Sequence, residues 1–113
     1  MRTIKNLTSN HERVWFYLKD KETEDLFVRD LNEMGATYLN GKKISPSNCS
    51  PIMAVHADGK VAHLMIMIWN ASFSPTFKEH CSKSLANAIK VDYAKYIGGD
   101  SDYICHTSEF VPI

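Results

Sequence analysis

The stretch Val61–Phe73 (VAHLMIMIWNASF) constrains the fold more than any other part of the chain. Its first nine residues, VAHLMIMIW, contain a single polar side chain, His63. Read with the period of a strand, the two faces of this run are both apolar, which predicts a strand buried on both sides. A buried helical segment is the alternative, because a continuous apolar run carries no periodicity that separates the two.

The residues before this run favour the strand. Asp58-Gly59 lies directly in front of it, and the short apolar segment Ile52–His56 lies just before that pair. Asp-Gly between two apolar segments is typical of a two-residue β-hairpin turn. The sequence therefore predicts a hairpin formed by the two segments.

A strand and a long helix are predicted in the first third of the chain. The run Arg13–Leu18 (RVWFYL) is rich in β-branched and aromatic residues, which favours a strand. Asp20 is the expected N-cap of the helix, with acidic residues in the first turn, and Gly35 is the expected C-cap. The apolar face of this helix repeats at helical spacing: Phe27, Val28, Leu31 and Met34.

The remaining elements are shorter. In chain order they are a strand at Thr37–Leu39 before the Asn40-Gly41 turn, a loop at Lys42–Pro51, an ambiguous helix at Phe77–Asn87 capped by Thr76, a strand at Ile89–Tyr93, a turn at Gly98-Gly99, and a last short strand or tail at Asp102–His106. Few helices and mostly short connections predict an α+β fold. We expect one domain over residues 1–113, with a small, mostly antiparallel sheet, one long helix packed on it and a short second helix.

Composition excludes several classes of function. The chain has 44% hydrophobic and 23% charged residues and a formal net charge of zero. A neutral chain is not expected to bind duplex DNA or an anionic membrane surface, which both require concentrated positive charge. No apolar run reaches the length of a membrane span, and the odd set of cysteines (Cys49, Cys81 and Cys105) predicts reduced thiols in a cytoplasm.

A small sheet has edges and a second apolar face to cover, and self-association would cover both. The predicted strand face bearing Met65, Met67 and Trp69 is the first candidate for a homo-oligomer interface. Packing of the same face on the second helix is the alternative.

No motif predicts catalysis, a metal or a cofactor. The local pairs His80-Cys81 and Cys105-His106 have adjacent residues that point apart, and no Cys-x-x-Cys or His-x-x-x-His spacing occurs. The common glycine-rich phosphate loops are also missing from the sequence. We therefore expect a binding protein rather than an enzyme.

The residues of a nucleotide pocket are present in the sequence. Aromatic side chains stack on bases and cations pair with phosphates, so the candidate ligand contacts are Trp69, Asn70, Ser72, Phe73, Lys78, Lys95 and Tyr103. The alternative is that Trp69 and Phe73 belong to the core and that the lysines are solvated.

Most of the chain resembles a group of small proteins from phages and mobile elements of Gram-positive bacteria. The segments that carry the likeness are VWFYL, the acidic helix ending in Met34-Gly35, TYLNGKKISPSN, IMAVHADGKVAHL and VDYAKYIGGDSDYI. Within that group the chain resembles the first Thoeris anti-defence family.

The resemblance implies a function. Members of that family are homo-oligomeric phage proteins of the bacterial host cytoplasm that bind cyclic ADP-ribose isomers, and some also bind cyclic oligonucleotides. They act as sponges, which hold the immune signal without cleaving it, in pockets formed between subunits. Where such pockets use arginine, Arg13 or a lysine would serve here, because Arg29 lies on the helix.

Two other functions remain open. A protein-binding inhibitor of host defence, of the anti-CRISPR kind, would use the methionine face or the acidic helix face formed by Glu22, Glu24, Asp25 and Asp30. An enzyme acting on a cyclic nucleotide would use His80 or His106 as its acid or base.

Overall fold

The computed structural model describes residues 2–45, 49–74, 76–77 and 88–106. Within these ranges the elements are α1 (Ile4–Thr8), β1 (Arg13–Tyr17), α2 (Lys21–Glu33), β2 (Thr37–Tyr38), β3 (Ile52–His56), β4 (Lys60–His63), α3 (Ile66–Ala71), β5 (Ile89–Asp92) and α4 (Tyr93–Ile97). The five strands form one sheet in the order β2-β4-β3-β1-β5.

The fold class is α+β, as the sequence predicts, and the sheet is mixed. The two central pairings, β1 with β3 and β3 with β4, are antiparallel. Both outer pairings, β1 with β5 and β2 with β4, are parallel. The expectation of a mostly antiparallel sheet therefore holds for the centre and not for the edges.

The sheet separates two apolar cores. Val14 and Phe16 of β1 point to one face, where they pack in a cluster with the apolar side of α2 and with residues of α1 and α4. Trp15 and Tyr17 point to the opposite face, where they pack with Trp69 of α3. We call the cluster around α2 the first core and the cluster around Trp69 the second core. This alternation places a buried core on each side of β1.

The long helix begins and ends where the sequence predicts. The Asp20 carboxylate accepts hydrogen bonds from the backbone N–H (2.8 Å) and the hydroxyl (2.7 Å) of Thr23. Gly35 has φ +76°, the left-handed conformation that glycine adopts after a helix. Among the described residues, no helix combines the length and the apolar character needed to cross a bilayer.

The predicted hairpin is confirmed, but the strand that follows the turn is shorter than expected. β4 ends at His63, and residues Ile66–Ala71 form α3. The partner strand β3 explains the difference, because it begins at Ile52. The Ile52 carbonyl oxygen accepts from Leu64 N at 3.2 Å, one residue past the end of β4. The apolar run therefore leaves the sheet and continues as a helix, which was the alternative interpretation.

Two short helices were missed in the sequence, and one predicted helix cannot be compared. Thr3 and Asn6 form a capping box at the start of α1, and Asp92 caps α4. Both are cap signals that a search for short helices would have found. The predicted helix Phe77–Asn87 lies outside the described residues from position 78 onward.

Arg2 and Thr3 contact the segment from Tyr96 to Tyr103. The Arg2 guanidinium donates to the carbonyl oxygens of Tyr96 (3.1 Å) and Asp100 (2.7 Å). It also lies over the rings of Tyr96 (5.5 Å) and Tyr103 (5.2 Å), which contact each other edge to face. The Tyr96 hydroxyl donates to Thr3 O at 2.7 Å. We call these contacts the terminal clasp.

Asp30 connects α2 to α1 and α4. Its Oδ2 atom accepts hydrogen bonds from Ile4 N (3.0 Å) and from the Tyr93 hydroxyl (2.8 Å). Burial raises the pKa of the Asp30 carboxyl above the ordinary value of 3.8, and the two hydrogen bonds oppose this shift without cancelling it. The folded protein therefore favours the protonated Asp30 carboxyl more than the unfolded chain does.

The pKa of Asp30 predicts a pH dependence of stability. A raised folded-state pKa gives a contribution that is present below 3.8 and is lost as the pH rises through the folded-state value. Asp30→Asn keeps an acceptor oxygen without the charge, so the free energy of unfolding of the wild type should fall relative to that of this variant between pH 3.5 and 7. Urea denaturation of both proteins across this range measures the two free energies of unfolding, and a wild-type value that rises with pH relative to that of Asp30→Asn would contradict the assignment.

Asp30→Ala tests the hydrogen bonds themselves. It leaves the Ile4 amide and the Tyr93 hydroxyl without their acceptor, so the free energy of unfolding should drop by about 1–3 kcal/mol at every pH in the series.

Candidate functional site

The two aromatic candidates on and after α3 belong to the second core. Trp69 is 1% exposed and packs against the sheet, with the Phe73 ring edge to face at 5.5 Å. The Lys90 ammonium lies over the Phe73 ring at 4.9 Å and over the Trp15 ring at 5.9 Å. The indole ring of Trp69 is therefore covered by other parts of the protein. The Lys90 ammonium covers the partly buried Phe73 ring.

The two polar candidates on this segment, Asn70 and Ser72, are also partly buried. The Ser72 hydroxyl donates to Trp69 O at 2.6 Å and closes the end of α3. The side-chain oxygen of Asn70 and the indole N–H of Trp69 are buried, and neither has a hydrogen-bond partner within the described part of the chain. Neither atom is accessible from the solvent.

Arg13 lies at a different place from α3. It starts β1 and stands opposite His56 in β3, with its Nη1 atom 3.4 Å from His56 Nε2. A guanidinium only donates, so His56 Nε2 accepts and the imidazole is neutral. Burial and the Arg13 charge both lower the pKa of His56.

Lys95 and Tyr103 line a common cleft at the opposite end of β1. The segment after α4 returns along β5, where Val91 pairs with Ile104. Asp92 N donates to Tyr103 O, and Cys105 N donates to Lys90 O, each at 2.8 Å. This pairing places Tyr103 beside Lys95 on the first turns of α4. We call the space that they line, of about 200 Å³, the C-terminal cleft.

The C-terminal cleft carries groups of both charges. Lys95 and His106 line it together with Asp92 and Asp102. The Asp92 side chain accepts from Lys95 N at 3.3 Å and caps α4. Burial raises the pKa of the Cys105 thiol to about 11, so this sulfur is a neutral thiol at pH 7. The cleft can therefore offer ionic contacts and hydrogen bonds, while Cys105 is not poised as a nucleophile.

The candidate residues thus occupy three places. Trp69 and Phe73 belong to the second core, with Asn70 and Ser72 on the same segment of chain. Arg13 lies at the start of β1, and Lys95 with Tyr103 lies in the C-terminal cleft. Lys78 lies outside the described residues, as do His80 and Cys81. Asp92, Asp102 and His106 were not among the predicted ligand contacts, and the adjacent charged residues around the Gly98-Gly99 turn are the signal that could have found them.

Two surfaces proposed for protein partners also differ from the expectation. Met65 and Met67 are 63% and 71% exposed, but Trp69 does not share their surface, because the segment is helical. On α2, Glu22 and Asp25 are exposed, whereas Asp30 points inward to Ile4 and Tyr93. Within the described ranges, no group of three or more His, Cys, Asp or Glu side chains is arranged to hold a metal ion.

The burial of Trp69 predicts a stability effect rather than a ligand effect. Trp69→Ala should lower the free energy of unfolding by about 3–5 kcal/mol, because it empties a large volume in the second core. Met67→Ala, about 200° away around the same helix on its exposed side, should change it by less than about 0.5 kcal/mol. Chemical denaturation of both variants makes the comparison, and equal stabilities would show that Trp69 is not a core residue.

Comparison of the chain with known protein families, with curated proteins and with solved structures found no match.

Proposed function

We propose that this protein is a non-enzymatic binding protein that sequesters a small cyclic nucleotide signal, the function implied by its resemblance to the first Thoeris anti-defence family. The observation that carries the proposal is the convergence of Lys95, Tyr103 and His106 on the C-terminal cleft. An ammonium and an imidazole suit phosphate or ribose oxygens, and the Tyr103 side chain lines the same space. Lys95 and Tyr103 were proposed as ligand contacts from the sequence.

The size of the cleft supports a site shared between subunits. Ligand pockets in proteins usually measure about 300–1,000 Å³, and the C-terminal cleft has about 200 Å³. One subunit would thus enclose only part of a cyclic dinucleotide or a cyclic ADP-ribose isomer. A second copy of the chain would supply the remaining contacts, in keeping with the homo-oligomeric pockets of the family that the sequence resembles. In this proposal the protein acts in the cytoplasm of the bacterial host of a phage.

The proposal is tested by capture and release. The purified protein is incubated with cyclic ADP-ribose isomers and cyclic oligonucleotides, and the free ligand is measured by chromatography before and after heating to denature the protein. A sponge removes one ligand from solution and returns it unchanged. A ligand that returns altered would indicate an enzyme, and ligands that never leave solution would refute binding of these compounds.

The charge of Lys95 provides a sharper prediction. Lys95→Gln should weaken capture about tenfold or more, because a hydrogen bond to a charged group is worth about 1.5–3 kcal/mol. Lys5→Gln is the matched control, since Lys5 is exposed on α1 and lies beside the β3–β4 turn, away from the C-terminal cleft. Isothermal titration calorimetry measures both. Equal affinities of the two variants would move the ligand site away from this cleft.

A specific observation favours a protein interface as well. Met65 and Met67 project from the start of α3 with more than half of each side chain exposed, and methionine is a frequent residue of adaptable protein contacts. Each outer strand of the sheet also pairs with a neighbouring segment at one position, since Thr37 of β2 pairs with Lys43 and Val91 of β5 pairs with Ile104. Assembly through the methionine surface is therefore favoured over strand-to-strand pairing. A second copy of the chain is the proposed occupant.

The methionine surface predicts a change in assembly. Combined Met65→Glu and Met67→Glu should shift the sedimenting mass from an oligomer to the 12.8 kDa monomer, because four glutamates would meet across a symmetric contact. Leu39→Glu is the control, because Leu39 is 78% exposed at another part of the surface. A wild-type protein that sediments as a monomer at all concentrations would refute self-association and favour a host protein as the partner.

A further inference from the structure

The edge of the sheet at β2 contains a second cleft that the proposed function does not use. β2 pairs only with Lys60 and Val61 of β4, so the last two residues of β4 continue past the end of their neighbour. A space of about 480 Å³ opens there, lined by Tyr38, Leu39, Lys42, Ala62 and His63 among others. We call it the edge cleft. Its volume lies within the usual range of small-molecule sites.

The edge cleft has an aromatic wall made of two stacked rings. The rings of Tyr38 and His63 lie at an angle of 20° with their centroids 5.4 Å apart. The Tyr38 hydroxyl lies 3.3 Å from His63 Nε2. His63 is exposed, and the phenol ring of Tyr38 is half-buried against the first core. An exposed imidazole backed by a fixed aromatic ring is a flat surface on which another ring can stack.

The hydrogen bonds of this pair determine which imidazole nitrogen carries the proton. Ser50 Oγ donates its one hydrogen toward Ile52 O (2.9 Å) or Met53 Sδ (3.2 Å), and both of these atoms only accept. Ser50 Oγ therefore accepts from His63 Nδ1, which lies 3.0 Å away. In the neutral ring Nε2 is then the acceptor for the Tyr38 hydroxyl. Bonds at both nitrogens hold the imidazole plane in place, so little side-chain freedom is lost when a ligand stacks on it.

The charge of the edge cleft differs from that of the C-terminal cleft. Lys42 lines it, and none of the described residues that line it is acidic. The Asn40 side chain accepts from Lys42 N at 3.0 Å, which fixes the turn that carries the lysine. The backbone that carries the exposed Lys42 side chain is therefore held beside the aromatic wall. The described lining of the cleft offers no carboxylate that would compete with a ligand for the ammonium.

We propose that the edge cleft binds a purine nucleotide, with the base stacked on the Tyr38–His63 pair and the phosphate paired with Lys42. The two clefts lie at opposite edges of the sheet, four strand spacings or about 19 Å apart, so one mononucleotide cannot occupy both. The inference goes beyond the proposed function and does not depend on it.

The test uses the full chain and three probes: AMP, adenosine and ribose 5-phosphate. Affinities are measured by NMR titration, with the His63 Cε1–H signal assigned through the His63→Gln variant. We expect AMP to bind more tightly than adenosine, because only AMP reaches Lys42, and ribose 5-phosphate to bind weakest, because it has no base. The His63 signal should shift upfield under the ring current of the purine.

Variants separate stacking from charge. Tyr38→Phe keeps the ring and should retain AMP affinity within about twofold, whereas Tyr38→Leu and His63→Gln should each lose about tenfold, as expected for a lost stacking surface. Lys42→Gln should weaken AMP binding and leave adenosine binding unchanged. His11→Gln is the control histidine variant, since His11 is exposed in the segment between α1 and β1. Thermal unfolding confirms that each variant is folded.

The outcomes are distinguishable from those of the proposed function. Loss of AMP binding in Tyr38→Leu with unchanged capture of cyclic nucleotides supports the edge cleft as an independent site. Wild-type AMP affinity in both Tyr38→Leu and His63→Gln overturns the proposal, as does no detectable binding of AMP. AMP affinity that falls in Lys95→Gln instead would assign the ligand to the C-terminal cleft and overturn the edge cleft as its site.

Discussion

Alternate side chains of β1 point into two separate cores, and the remaining elements are arranged around that division. Phe16 contacts the rings of Phe27 and Tyr93, which come from α2 and α4. Trp15, the next residue back, is 1% exposed on the other face, below α3 and the Lys90 side chain. A strand that is apolar on both faces must be covered twice, so the chain needs helices on both sides of the sheet.

The elements with strong local signals were predictable from sequence. Asp20 and Gly35 mark the ends of α2 because a cap requires a particular side chain or a left-handed backbone, and both requirements are local. The Asp58-Gly59 turn is local as well, with Gly59 at φ +84°. The helix α3 was not predictable in the same way. Its apolar run has no period, and its departure from the sheet depends on where the partner strand β3 begins, at Ile52.

The candidate site shows the same limit. Trp69 and Asn70 were expected to contact a ligand, and instead the Trp69 ring packs on the sheet and the Asn70 side-chain oxygen is buried. The C-terminal cleft depends on the pairing of Val91 with Ile104, and the edge cleft depends on β2 ending before β4. Both features are tertiary. Residue types could therefore indicate Lys95 and Tyr103, which line the C-terminal cleft. They could not indicate the edge cleft, because only the sheet topology brings Tyr38 to His63.

The terminal clasp has a consequence for synthesis of the chain on the ribosome. Arg2 reaches the carbonyl oxygen of Asp100, 98 positions later, and β1 needs β5 as its parallel neighbour. Contacts of such long sequence separation form late, since the connecting loop must first close. The edge of β1 that pairs with β5 therefore stays unpaired until residues 89–92 have been made. Nascent chains that stall before residue 100 should engage chaperones or proteases rather than fold.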